Sequence, residues 1–127
     1  MSEHKPYEQV KGRPCDFIVA YTFFTAEEGG RKTGTPVQGY RSDFMYEGDA
    51  IKDGIYMIYP EFLDENDNVI LDRNVGVPIS GKANMWILNE KFLDYHKVRM
   101  KIGTKGYFME GPIKTAKCEV IKFVRLK

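Results

Sequence analysis

Apolar positions along the chain recur with the two-residue period of strands far more often than with helical spacing. Asp16 to Thr25 reads Asp-Phe-Ile-Val-Ala-Tyr-Thr-Phe-Phe-Thr, β-branched and aromatic, free of glycine and proline, and soon followed by Gly29-Gly30. It predicts a central strand. Val37 to Tyr46 alternates less cleanly but carries Tyr40, Phe44 and Tyr46 before Gly48-Asp49 breaks it, giving a second aromatic strand. Asp53-Gly54 turns the chain into Ile55–Tyr59, and Pro60 confines the next positions to a strand end, an edge or a bulge. The polar stretch Asp64 to Asn68 separates Phe62-Leu63 from Val69-Ile70-Leu71 as a hairpin would. Met85 to Leu88 predicts a short buried strand. Val98, Met100 and Ile102 fall on one side of an alternation whose other side holds Lys97, Arg99 and Lys101, which predicts a half-buried strand. Tyr107–Met109 and Cys118–Leu126 complete the set. Only Asn89 to Tyr95 has helical character, and it is too short to stand alone. Roughly six to nine short strands with glycine-containing turns indicate an all-β barrel or sandwich. A closed, Greek-key-type β-barrel is preferred, because closure removes exposed edges without covering helices.

Composition narrows the class without naming a function. The 127 residues suit a single domain, expected at 16–127 behind a polar arm at 1–15 that includes His4. There is no internal repeat and no low-complexity linker. Nineteen basic against 18 acidic side chains leave a net charge of +1, so any nucleic-acid surface is local rather than global. No window approaches the length of apolar sequence a spanning helix needs, and the first residues lack a signal-peptide core, so no membrane partner and a cytoplasmic location are expected. Cys15 and Cys118, far apart in sequence, fit neither a CxxC motif nor a dense disulfide framework. They read as reduced thiols, with a disulfide left open.

Motifs that imitate chemistry are incomplete. Gly76-Val-Pro-Ile-Ser-Gly81-Lys82 matches most of a phosphate-cradling loop, but Ala83 stands where a Mg²⁺-binding hydroxyl belongs and no helix pattern follows. Asp64, Asn66 and Asn68 resemble the opening of a calcium loop, yet Val69 replaces its glycine and Val75 its closing glutamate. His4 and His96 lack metal-spaced companions, and no local signature supports a Cys118–His96 nucleophilic pair. No catalytic residue, metal, nucleotide or cofactor is expected.

One pair of segments says more. Glu27-Glu28-Gly29-Gly30-Arg31-Lys32-Thr33 is followed by Gly39-Tyr40-Arg41-Ser42-Asp43-Phe44, and near the end comes Tyr107-Phe-Met-Glu110-Gly111-Pro112-Ile113-Lys114-Thr115. In this order they resemble the EEGGRHT, GYRPQF and RFAIREGGRT segments of the carboxy-terminal, third domain of bacterial elongation factor Tu. The resemblance covers about Asp16 to Leu126 and leaves residues 48–82 longer and unmatched. It implies a free-standing barrel similar to that domain. It also implies a non-enzymatic module that binds structured, tRNA-like RNA, since the matching family positions touch the T-stem of aminoacyl-tRNA. Carried over, these are Arg31, Lys32, Glu110 and Gly111, and the surrounding surface adds Arg41 and Lys114. A-form RNA is read by shape, through phosphates and 2′-hydroxyls, which such donors suit. Lys32 stands for the family's histidine, Asp43 for its glutamine, and Pro112-Ile113 alters the closing glycine pair. An architectural reading competes, in which the glycines shape a turn, Tyr40 packs, and Arg31 or Arg41 pairs with Glu27 or Glu28. The alternative function is a protein-interaction module docking another polypeptide through an aromatic and Met-rich face that includes Tyr56, Met57, Tyr59 and Trp86.

Overall fold

In the computed structural model, which describes residues 3–126, the chain is mostly β and builds one six-stranded antiparallel sheet curled into a half-barrel. The strands are β1 (Phe17–Phe23), β2 (Asp43–Tyr46), β3 (Ile58–Phe62), β4 (Ser80–Ile87), β5 (Lys105–Glu110) and β6 (Ile113–Phe123), in the spatial order β2-β5-β6-β1-β4-β3. Two helices accompany them, α1 (Tyr7–Lys11) and α2 (Leu93–Arg99). The strand β1 forms where β-branched and aromatic residues alternate faces: Phe17, Val19, Tyr21 and Phe23 are buried while Ile18, Ala20 and Thr22 face outward. Each inward side chain contributes roughly 1.5–3 kcal/mol through removal of apolar area from water. Facing residues Ala83, Met85 and Ile87 of β4 and Ala116, Cys118 and Val120 of β6 complete a core that also takes Phe44, Phe62 and Phe108. Cys15 and Cys118 are both free thiols, and burial pushes the Cys15 pKa up to about 12.

Hairpins join β3 to β4 and β5 to β6, whereas the β1–β2 and β4–β5 connections cross over neighbouring strands. The two edge strands meet at one point. Phe44 of β2 and Tyr56, just ahead of β3, exchange backbone hydrogen bonds of 2.8 Å in each direction. Pro60 lies in β3, an edge strand, as a residue without an N–H donor requires.

Several expectations need correction. The alternation at Val98–Ile102 is not a strand: α2 occupies Leu93–Arg99 and turns Leu93, His96 and Met100 toward the core, leaving Val98 and Ile102 exposed. A short 3-10 turn at Glu90–Phe92, capped by Asn89 Oδ1 accepting from Lys91 N at 3.1 Å, leads into it and gives the otherwise marginal helix a start. The second strand is only Asp43–Tyr46, because the preceding residues follow an irregular path. Ser80–Lys82, in the imitation phosphate loop, are the first residues of β4, and Lys82 Nζ reaches Asp67 at 3.3 Å. The hairpin after Phe62 reduces to a single bridge, Leu63 with Val69, and Asp64 Oδ1 accepts from the backbone N–H groups of Asn66 and Asn68, as in an ordinary polar turn.

The polar arm is docked on the sheet from His4 onward. His4 is buried, its Nε2 lies 2.6 Å from Glu61 Oε2, and Tyr7 N donates to the same oxygen at 2.9 Å. Tyr7 and Arg13 then cover Trp86, with a ring separation of 5.8 Å and a guanidinium 5.1 Å from the indole centre. Trp86 is consequently buried, and does not belong to an exposed docking face.

Candidate functional site

The segment after β1 turns on its own hydrogen bonds. Thr25 N donates to Glu28 Oε1 at 2.8 Å while Glu28 N donates to Thr25 Oγ1 at 3.2 Å, and Gly30 N closes the turn on Thr25 O at 2.9 Å. Glu28 is thereby used locally, and Thr25 holds its carboxyl below the ordinary range. Gly30 must be glycine because a Cβ there would lie 2.5 Å from the Phe24 carbonyl oxygen. This close packing sends Arg31 back toward the sheet.

Arg31 is the centre of a polar network that spans the chain. Its Nε donates to Gly34 O at 2.8 Å, its Nη1 to Glu110 Oε2 at 2.5 Å, and its guanidinium lies 5.4 Å from the Tyr40 ring centre. The Tyr40 hydroxyl donates to the same Glu110 oxygen and lies 2.9 Å from Thr115 Oγ1, which is itself 3.2 Å from Phe108 O. With the tyrosine proton given to Glu110, the single Thr115 proton has two acceptors to choose between. Thr115 is fully buried. Burial and the Glu110 carboxylate both raise the Tyr40 pKa, keeping the phenol a donor. Burial alone would lower the Arg31 pKa, but hydrogen bonding and charge from Glu110 leave it raised. The arginine therefore pairs with Glu110, 79 residues away, and not with Glu27 or Glu28.

The sequence-predicted residues divide into three groups. Arg31, Lys32 and Glu110 line one shallow cleft of about 260 Å³ together with Thr33, Ile113 and Thr115. Gly111 is exposed at the β5–β6 turn beside it. Lys114, one strand position from Thr115, leans its Nζ to 4.3 Å from the Tyr107 ring centre, and Tyr107 and Phe24 line a broader groove of about 550 Å³ on the outer sheet face with Lys105 and Lys117. Arg41 is exposed and does not join the Arg31 cleft. Asp43 is half-buried in β2, and burial raises its carboxyl pKa.

Sequence reasoning passed over Tyr40 as a hydrogen-bonding group, Thr115 as its partner, and Arg73, which lines a second cleft with Arg31 and Tyr40. Nothing in the residues around Arg73 sets it apart from an ordinary charged turn. Among the described residues, no group of three or more His, Cys, Asp and Glu side chains stands close enough to hold a metal ion, and no helix is long and apolar enough to cross a membrane. No protein-family model matches the chain, and no curated protein matches it.

Proposed function

We propose that the protein is a non-enzymatic module that binds structured RNA, built on a β-barrel similar to the third domain of elongation factor Tu and closed where Phe44 meets Tyr56. The observation that carries this reading is the network joining Arg31, Tyr40, Glu110 and Thr115, because it gathers all three motif segments at one end of the sheet. Lys32 lines the cleft beside that network, and Arg41 and Lys114, next in sequence to Tyr40 and Thr115, are exposed to offer cations to phosphates. The division of labour is then clear: Arg31 and Glu110 fix the surface, and the exposed cations touch the ligand. Fluorescence titration with tRNA at two salt concentrations tests it. Lys32→Ala and Lys114→Ala are each expected to weaken binding and to lower the salt slope by about one, with the melting temperature unchanged. Absence of binding by the wild-type protein at low salt overturns the reading.

A second reading has its own observation. Met57, Phe92, Tyr95 and Val98 are all exposed around α2, and the Phe92 and Tyr95 rings lie 6.4 Å apart. Such an apolar group suits another polypeptide. A partner captured on this face persists after nuclease treatment, whereas one held through RNA is lost.

A further inference from the structure

Two long connections, one between β1 and β2 and one between β3 and β4, are fastened together beside Tyr40. Val77 N donates to Pro36 O at 2.8 Å. Gln38, fully buried, donates from Nε2 to Phe62 O at 2.8 Å and Ile70 O at 2.9 Å, and its Oε1 accepts from Phe62 N at 2.9 Å. The backbone from Pro36 to Tyr40 is thus held in place, and it lines a cleft of about 360 Å³ together with Arg31 and Arg73.

Arg73 is placed there by a glycine. Gly39 has φ +95°, and the Arg73 Nη2 lies 3.1 Å from where a Cβ at that position would stand, so the guanidinium lies flat against the chain in space that any side chain would take. The adjacent Asp72 is occupied in its own turn, its Oδ1 accepting from Asn74 N at 2.8 Å. Among the described residues, neither Arg73 nor Arg41 has a carboxylate within 4.0 Å, although Arg13, Arg31, Arg99 and Arg125 all do. One unpaired guanidinium, that of Arg73, lies against Gly39, and the other belongs to Arg41, two residues further along the same stretch. Both act on the Tyr7 phenol, opposing the rise in its pKa that burial and Glu61 produce.

We propose that Arg73, which lines this cleft, and Arg41, the residue that follows its Tyr40, form a phosphate clamp, taking a backbone phosphate of the RNA. This rests on the RNA-binding reading above, and it gives residues 48–82, which have no counterpart in the resembling motifs, a direct part in binding. A guanidinium suits the role because its planar fork donates two parallel hydrogen bonds to a phosphate, and these have no protein acceptor to give up first.

The test uses the full chain with two probes, a tRNA-like hairpin RNA and inorganic phosphate. Arg73→Ala is expected to weaken hairpin binding about tenfold and to lower the slope of log affinity against log salt by about one. Arg73→Lys keeps the slope but regains only part of the affinity, since an ammonium cannot fork. Both variants should melt with the wild type, because Arg73 is exposed and makes no ion pair. If the wild type binds RNA and Arg73→Ala and Arg41→Ala bind equally well, the clamp is overturned and the RNA reading stands. Should RNA fail to bind while phosphate shifts the Arg73 side-chain N–H resonance in NMR, the RNA reading falls and the clamp stands as a site for free phosphate. Failure of both probes overturns both.

Discussion

His96 is the buried base of the α2 region. Its Nδ1 lies 2.7 Å from the Tyr46 hydroxyl, its ring packs on Tyr46 and meets Tyr56 edge-on at 4.7 Å, and its Nε2 has no hydrogen-bond partner among the described residues. Burial, and then the positive charge of Arg99, depress its pKa to about 4, with Asp16 opposing weakly. An unfolded histidine titrates near 6.5, so between about pH 4 and 6.5 the unfolded chain binds the additional proton. Stability is therefore complete above pH 6.5 and falls as pH drops toward 4, by on the order of 3 kcal/mol. Urea unfolding across this range should show that loss in the wild type and a flatter profile in His96→Phe. Asp49 and Glu90, held low by hydrogen bonds from Arg99 and Arg125, add their own losses at more acidic pH. Arg31 shows how far single residues reveal a site. Its spacing from Gly29-Gly30 marks a special loop, yet its partner Glu110 is visible only after folding, because nothing local encodes a contact between the β1–β2 loop and the end of β5.

Among the elements, the segment from His4 to Lys11 depends most on one buried group. Glu61, 1% exposed on β3, accepts from His4 Nε2, Tyr7 N and, at 3.2 Å through its other oxygen, Trp86 Nε1. Glu61→Gln puts an amide donor in competition with these donors and is expected to cost about 1–3 kcal/mol. As the only tryptophan, Trp86 reports the outcome: release of Tyr7 and Arg13 from its ring should shift its fluorescence to the red. An unchanged emission spectrum would mean that this segment stays docked without the carboxylate. The element-level reading of the sequence succeeded where side chains alternate over a run with no competing period, as in β1. It failed at α2, where Val98, Met100 and Ile102 alternate by chance while Leu93, His96 and Met100 carry the helical spacing that packs inward. A polar histidine in that inward set concealed it. The N-terminal segment was illegible for a similar reason, since its anchors are a histidine and a backbone N–H, not apolar residues.

For the molecule as a whole, the two edges of the half-barrel are joined through one isolated bridge, Phe44 with Tyr56. Hydrogen exchange should find both amides protected to a degree approaching that of β1, because each is a donor in that pair and Phe44 is fully buried. Rapid exchange at both positions would leave an open sheet in solution. The strand order carries another consequence. β1 and β6 lie side by side and antiparallel at the sheet's centre, with Phe17 opposite Phe123, and Asp16 fastens their shared end by accepting from Arg125 Nε at 2.5 Å, while its other oxygen accepts from Ile87 N of β4 at 2.7 Å. Tension applied to the two ends of the chain therefore loads this pair like a zipper, not in shear. After the His4–Glu61 contact gives way, the Asp16 clasp is the first barrier within the sheet, and beyond it the ladder opens one rung at a time from Phe17 toward Phe23. The domain's resistance to pulling is thus concentrated at Asp16, through its carboxylate and through its carbonyl, which accepts from Val124 N and Leu126 N where the strands begin to part.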